Sequence, residues 1–163
     1  MIKYIHFDIF KGGEDVIVHG CNCICNMGAG IALQVAKYYS EAFDVDKRTR
    51  KGDATKLGNF TQWTGQNIFY PDKLVTIVNA YTQFDIFSHK WRSGWDKNVP
   101  KIPFDYDAFA KVLPKIKQSF FDKTIAFPKI GAGLAHGNWK KIEGMINEVF
   151  DNKDVMVYIY ERS

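Results

Sequence analysis

Two segments combine closely spaced glycines with small apolar residues, a pattern that suits phosphate binding. Residues 25–31 contain Gly28 and Gly30, and residues 128–135 contain Gly131 and Gly133. Glycine lets backbone N–H groups approach an anion closely, and a helix that begins after such a turn adds unpaired donors and a partial positive charge. Neither segment is a Walker loop, and neither carries the third glycine of the dinucleotide fingerprint. Two such turns together would suit a diphosphate.

Histidines lie near both glycine-rich segments and could supply acid–base chemistry near neutral pH. His19 precedes the first segment, His136 lies beside the second, and His89 belongs to residues 88–103, a stretch with little periodicity. We expect that stretch to be a long surface excursion of the kind that often covers a site. Each histidine could equally be a structural or surface residue.

The three cysteines, Cys21, Cys23 and Cys25, alternate along the end of one expected strand. An odd, crowded set is a poor disulfide framework, so we expect reduced thiols. A zinc site would need a CxxC pair and a second ligand cluster, and a cysteine phosphatase would need its arginine-containing loop. We therefore expect no metal, no cofactor and no cysteine nucleophile.

The remaining pattern alternates strands with helices. Short β-prone runs occupy residues 3–7, 16–18, 58–63, 74–78, 124–127 and 155–160, and helical periodicity occupies the segment from Gly30, part of residues 40–55, and residues 105–120 and 139–150. Pro114 must kink or restart the third of these helices. This order predicts one α/β domain over residues 1–163, a three-layer α/β/α sandwich around a mixed sheet.

Length and composition limit the kind of protein. The chain has 163 residues, of which 46% are hydrophobic and 25% charged, values that exclude a disordered or fibrous chain. No apolar run approaches the roughly 20 residues of a membrane helix, and the first residues do not resemble a secretory signal. We expect a cytoplasmic protein without a membrane partner. The net charge of +4 suits an anionic ligand without requiring one.

Four stretches of the sequence resemble the macro domain family. They are residues 7–9, 16–23, 27–32 and 128–134, the last followed by Trp139. Within that family, the His-x-Cys-Asn-Cys pattern followed by Gly-x-Gly-Ile-Ala is most similar to the yeast-type ADP-ribose 1″-phosphate phosphatases. The resemblance covers nearly the whole chain and implies the macro domain fold.

The resemblance also implies how ADP-ribose would be held. Asp8 would accept a hydrogen bond from the adenine amino group beside the Ile9 amide, Tyr160 would pack near the adenosine, and Asn22 would lie near the distal ribose. Asp8 could equally cap a turn, and Tyr160 could be a core residue. The two glycine-rich turns would hold the diphosphate and distal ribose, which agrees with their physical interpretation. The implied ligand-binding residues are Asp8, Ile9, Asn22, Met27, Gly28, Ala29, Gly30, Ile31, Gln83, Ile130, Gly131, Ala132, Gly133, Leu134, Ala135 and Tyr160.

The implied activity is hydrolysis of ADP-ribose 1″-phosphate, with His19, Asn22 and His89 as catalytic residues. Two alternatives stay open: a reader that binds ADP-ribose without turnover, and a hydrolase that releases ADP-ribose from modified protein or nucleic acid. The glycosidic branch that uses a lysine and an aspartate would have them at Gln83 and Ala135, and another branch would have an acidic residue at Ala32. Partners would be ADP-ribose, its derivatives and ADP-ribosylated macromolecules, and we expect a monomer.

Overall fold

The centre of the structure, a computed structural model that describes residues 2–86, 102–151 and 156–161, is a six-stranded sheet. The strands are β1 (Ile2–His6), β2 (Val16–Asn22), β3 (Phe60–Gln66), β4 (Leu74–Gln83), β5 (Ile125–Pro128) and β6 (Val157–Glu161). Their spatial order is β1-β6-β5-β2-β4-β3. Neighbouring strands run parallel except β3, which pairs antiparallel with β4. The expected mixed sheet is therefore confirmed.

Helices cover both faces of this sheet, as the alternating pattern predicts. The helices α1 (Gly30–Tyr38) and α2 (Ser40–Lys47) contribute to an apolar cluster on one face, and α3 (Tyr106–Ser119) and α4 (Trp139–Val149) to a cluster on the other. Because successive side chains of a strand point to opposite faces, Ile17 joins the first cluster while Val16 and Val18 join the second. The three-layer α/β/α architecture is confirmed. Within the described ranges, no helix is long and apolar enough to cross a membrane.

Several element boundaries differ from the expectation by a few residues, and two differences have a clear physical reason. The helix α3 does not restart at Pro114 but runs continuously through it. Pro114 lies on the exposed side of α3, where the carbonyl group that loses its helical partner can bond to water. The strand β4 extends to Gln83 rather than Val78, because the polar residues Asn79 and Thr82 are fully buried within it. Most of the expected excursion over residues 88–103 lies outside the described residues.

The adjacent strands β2 and β5 lead the chain to opposite faces of the sheet. The chain leaves β2 towards α1 on one face and leaves β5 towards α4 on the other. In open α/β sheets, such a divergence at the carboxyl ends of parallel strands leaves a crevice where ligands bind. Both glycine-rich segments lie at this edge, which positions them across one crevice.

Candidate functional site

A cavity of about 590 Å³ opens at the carboxyl ends of β2 and β5. Its volume falls within the roughly 300–1,000 Å³ of small-molecule sites. Loop 1 (residues 23–29) bounds it on one side, and loop 2 (residues 129–138) on the other. Eleven of the expected ligand-binding residues line it: Asn22, Gly28, Ala29, Gly30, Ile31, Gln83, Ile130, Gly131, Gly133, Leu134 and Ala135.

The N-terminus of α1 forms part of the cavity wall. Gly30 begins this helix with a φ of 59°, and the preceding Ala29 provides no side-chain cap. The N–H groups in the first turn of a helix have no intrahelical partner, and they carry the positive end of the helix dipole. Ala29, Gly30 and Ile31 all line the cavity. This wall of the cavity can therefore bind an anion such as a phosphate group.

Asn22 holds loop 1 in its conformation. The Asn22 Oδ1 accepts hydrogen bonds from the backbone N–H of Ile24 at 3.2 Å and of Asn26 at 3.1 Å, and Nδ2 donates to the Asn26 carbonyl at 2.8 Å. The side chain of Asn26 continues the network by accepting from the Gly28 N–H at 2.8 Å. Asn22 is thus a buried residue that borders the cavity while its amide organises the loop.

Loop 2 combines one constrained glycine with one open glycine. Gly131 has a φ of +75°, and a Cβ atom there would lie 2.4 Å from the Phe104 ring. At Gly133, a Cβ atom would have no heavy atom within 4 Å. Among the bonds between described residues, none engages the backbone N–H of Gly133 or Leu134. Loop 2 therefore lines the cavity with two residues whose backbone N–H groups make no bond to the described residues, in a turn that packing at Gly131 constrains.

A small cleft, the base-end cleft, adjoins the cavity. It is lined by Phe7, Asp8, Ile9, Ile31, Gln34, Pro128 and Tyr160, and two of these residues, Ile31 and Pro128, also line the cavity. The cleft thus brings Tyr160, near the end of the chain, beside the consecutive residues Asp8 and Ile9. The resemblance assigns all three to the adenosine.

Asp8 and Tyr160 also make structural contacts at this cleft. Asp8 Oδ1 accepts from the Phe10 N–H at 2.9 Å and caps the short 3₁₀ helix Ile9–Lys11, so the capping alternative holds. The Tyr160 hydroxyl donates to Glu14 Oε1 at 2.5 Å, and burial raises the pKa of Tyr160. Its ring is therefore held in a fixed, buried position against the cleft.

The histidines of the described residues do not line the cavity. His19 is 1% exposed and lines neither the cavity nor the cleft. Its Nε2 lies 2.7 Å from Asn79 Oδ1, and burial lowers the pKa of His19 to about 4, so the ring is neutral at pH 7. The structure thus places His19 in the sheet, outside the lining of the cavity and of the cleft. His89 lies outside the described residues.

The structure also describes the three cysteines. Cys21, Cys23 and Cys25 are free thiols, and burial raises the pKa of Cys23 to about 11 and that of Cys21 well above its usual value. Cys21 and Cys23 are therefore protonated at neutral pH, a state unsuited to a nucleophile.

Two of the expected ligand-binding residues line neither the cavity nor the cleft. Met27 packs in the core on the face covered by α1 and α2, and Ala132 is absent from both linings. Among the described residues, no group of three potential ligands could hold a metal.

A β-bulge brings Gln83 beside Asn22. Cys21 pairs with Tyr81, but Asn22 pairs with Gln83, so Thr82 is an extra residue in β4. Bulges often redirect side chains next to functional sites. Gln83 lines the cavity, and its Nε2 donates to the Asp85 carbonyl at 2.8 Å. No signal in the strand pattern indicated this bulge.

Sequence reasoning missed several residues of the site. Gly20, Asn26 and Lys129 line the cavity, and Gln34 lines the cleft. Gln34 follows Ile31 by one helical turn, a spacing that could have indicated its position. The Lys129 ammonium lies 2.9 Å from Glu161 Oε1, and this hydrogen bond lowers the pKa of Glu161.

Comparison with curated proteins finds relatives along the whole chain. The chain is 32% identical over 169 residues to an uncharacterised 17.5 kDa protein of Enterobacteria phage T4, covering 99% of this chain and 97% of that protein. It is 28% identical over 165 residues to a DNA ADP-ribosyl glycohydrolase of Mycobacterium tuberculosis, covering all of this chain but only 43% of that protein. It is 26% identical to the human ADP-ribose glycohydrolase OARD1 over 98% of this chain and 90% of that protein.

The comparison with solved structures finds a macrodomain among proteins of the same fold. The macrodomain of Mycobacterium tuberculosis DarG superposes with a TM-score of 0.71 and 25% identity, over all of this chain and 99% of that one. No protein-family model matches the chain. Together, the full-length relatives and the shared fold show that the chain belongs to the macro domain family.

Proposed function

We propose that this protein binds ADP-ribose in the cavity and the adjoining base-end cleft. The observation that carries the proposal is the pair of glycine-rich loops at the carboxyl ends of adjacent parallel strands, facing one cavity. The uncapped N-terminus of α1 and the backbone donors of loop 2 together suit the two phosphates of a diphosphate. The cleft beyond Ile31 then receives the base.

The arrangement of the two sites also supports a nucleoside diphosphate sugar rather than a simple nucleotide. The base-end cleft lies at one end, with the Asp8 carboxylate available to a base amine. The cavity extends from the loops to Asn22 and Gln83 at the ends of β2 and β4. ADP-ribose suits this arrangement, because its diphosphate lies between the adenosine and the distal ribose, a second polar group.

For the reaction, we propose hydrolysis that releases ADP-ribose from a modified macromolecule. The named activities of the mycobacterial and human relatives support this class of reaction. In such a reaction the bond from C1″ of the distal ribose to the leaving group breaks, water supplies the new oxygen, and the leaving group takes a proton. Lys129 is the one ionisable side chain among the described residues that line the cavity, and it is paired with Glu161.

Hydrolysis of ADP-ribose 1″-phosphate, the activity implied by the sequence resemblance, is the second candidate. The segment from His19 to Ala32 carries the resemblance to the phosphatases, and part of it, including Asn22 and residues 28–32, lines the cavity, which favours this candidate. The neutral, buried His19 offers it no support, so its chemistry would need another proton carrier.

The test combines binding and turnover on one preparation. ADP-ribose binding is measured by calorimetry, and release of ADP-ribose is followed from ADP-ribosylated DNA, ADP-ribosylated protein and ADP-ribose 1″-phosphate. Gly133→Val, which adds a side chain at the open position of loop 2, is the variant expected to lose binding, and Gly144→Ala is the matched control. Saturable binding by the parent and none by the variant is expected; no binding by the parent would overturn the proposal. Binding without release from any substrate would make the protein a reader.

A further inference from the structure

One short segment carries a charge balance equal to the net charge of the whole chain. Residues 47–56, the basic segment, contain five Lys or Arg residues and one Asp, a balance of +4. The chain has 22 Lys and Arg against 18 Asp and Glu, so removing the five and the one leaves 17 of each sign. The net positive charge of this protein is therefore concentrated in one place.

The basic segment is held against loop 1, which bounds the cavity. The Gly52 N–H donates to the Cys23 carbonyl at 2.7 Å, and the Cys23 N–H donates to the Phe84 carbonyl at 2.9 Å. Cys23 and Phe84 directly follow Asn22 and Gln83, which line the cavity at the ends of β2 and β4. In the sheet, β4 lies on the opposite side of β2 from the strands that border the base-end cleft. The basic segment therefore lies at the end of the cavity that is remote from this cleft.

A partly buried lysine fixes the shape of the basic segment. The Lys56 ammonium donates to Thr49 Oγ1 at 2.8 Å and lies 3.7 Å from the Cys25 sulfur in loop 1. The Cys25 thiol in turn donates to the Asp46 carbonyl near the end of α2 at 3.4 Å. These contacts join the segment, α2 and loop 1, so the segment has a defined position beside the cavity.

Three cations of the basic segment face solvent. Arg48, Arg50 and Lys51 are exposed, and none of them forms an ion pair within 4 Å with another described residue. The Arg48 Nε donates to a backbone carbonyl of α2, which leaves the other N–H groups of its guanidinium available. This surface can therefore bind an anionic partner.

The carboxylates nearby have other partners or roles. Asp44 pairs with Lys47 at 3.2 Å, and the buried Asp46 accepts from the Tyr81 hydroxyl at 2.7 Å. Asp53 caps the short helix that follows it. The positive charge of the three exposed side chains is thus not cancelled by direct pairing.

We propose that the basic segment binds the phosphodiester backbone of a nucleic acid, so that the macromolecule carrying the ADP-ribose is a nucleic acid. This inference rests on the proposed function and names its substrate class. The macromolecule is joined to ADP-ribose at the distal ribose, which the proposed function assigns to the end of the cavity near Asn22 and Gln83. The basic segment lies beside that end.

The chemistry of the segment favours a nucleic acid over an acidic protein. A nucleic acid has a phosphate at every nucleotide, so a fixed cationic surface beside the cavity meets negative charge at every modified site. The charges around a modified protein side chain differ from site to site. The guanidinium groups of Arg48 and Arg50 can also form paired hydrogen bonds with phosphates and stack on bases.

The experiment measures how tightly the full chain binds an unmodified single-stranded DNA oligonucleotide, by fluorescence anisotropy over a range of salt concentrations. The test variant removes the three exposed charges of the segment: Arg48→Gln, Arg50→Gln and Lys51→Gln. The control variant removes the charges of three exposed lysines outside it: Lys3→Gln, Lys37→Gln and Lys123→Gln. Both variants lose the same net charge, so a difference between them reports the position of the charges.

We expect the parent and the control variant to bind the oligonucleotide alike. The test variant should bind it at least tenfold more weakly at about 0.1 M salt, and the slope of log Kd against log salt should fall by about 2. ADP-ribose affinity should be equal in all three proteins, because the changed side chains do not line the cavity.

No DNA binding by the parent, unchanged binding by the test variant, or equal weakening in both variants would overturn the inference. Polyglutamate with as many charges as the oligonucleotide is the second probe. If it bound as tightly as the DNA and lost this binding in the test variant, the surface would serve acidic proteins and the inference would fail. Calorimetry with ADP-ribose tests the proposed function separately, since the unmodified oligonucleotide contains no ADP-ribose.

Discussion

The His19 imidazole and the Asn79 carboxamide form a buried hydrogen bond, with Nε2 of His19 2.7 Å from Oδ1 of Asn79. The two residues are register partners on β2 and β4. Asn79 Nδ2 in turn donates to the Ala42 carbonyl at 3.0 Å, which links both strands to α2. This histidine therefore stabilises the sheet and α2 rather than contacting the cavity.

His19 makes the stability of the protein depend on pH. Its pKa is about 4 in the folded state against 6.5 ordinarily, so between these values the unfolded chain binds more protons. The free energy of unfolding should therefore fall as pH decreases from 6.5 to 4, by about 3 kcal/mol from this group. Chemical unfolding at several pH values measures this dependence. His19→Gln should lack this contribution; an identical slope in both proteins would contradict the prediction.

Changes at Asp8 should separate its capping role from its role in binding. Asp8→Ala removes both roles. We therefore expect the free energy of ADP-ribose binding to weaken by about 1–3 kcal/mol and the free energy of unfolding to decrease by about 1 kcal/mol. Asp8→Asn retains an oxygen for the Phe10 N–H and should recover the stability without recovering the affinity. Calorimetry and chemical unfolding measure the two effects. Parent-like affinity in both variants would remove Asp8 from the site.

The glycines of loop 2 should respond differently to substitution. Gly131→Ala places a Cβ atom against Phe104 at a positive φ, so it should destabilise the fold by about 1–2 kcal/mol or more. Gly133→Val enters open space and should abolish ADP-ribose binding with an unchanged melting temperature. Gly144→Ala, in an unobstructed position of α4, is the control and should be neutral or stabilising. Normal binding by Gly133→Val would show that loop 2 does not hold the ligand.

Asn22 should matter through the shape of loop 1. Asn22→Ala removes three hydrogen bonds to the backbone of residues 24 and 26, so stability should decrease by about 1–3 kcal/mol and ADP-ribose affinity should decrease with it. Calorimetry well below the melting temperature separates the two losses. Full affinity combined with lost turnover would instead assign Asn22 a catalytic role.

The amino-acid sequence by itself determined the alternation of strands and helices and the two glycine-rich turns, because these depend on local periodicity and on glycine spacing. The sequence also indicated that loops 1 and 2 lie at the edge of the sheet, because each of these loops follows a strand. The assignment of Asp8 and Asn22 to a ligand site came from the resemblance to the macro domain family, whereas the glycine spacing around Gly133 by itself predicted a phosphate-binding turn.

Only the tertiary structure decided which polar side chains line the cavity and the adjoining cleft. The alternation of side chains along β2 directs His19 into the core while its neighbour Gly20 borders the cavity. The bulge at Thr82 shifts the register so that Gln83 lies beside Asn22. Gln34 acquires its position only because α1 packs against the turn after β1 and the end of β6. Such long-range placements depend on packing between distant segments, which local sequence patterns do not encode.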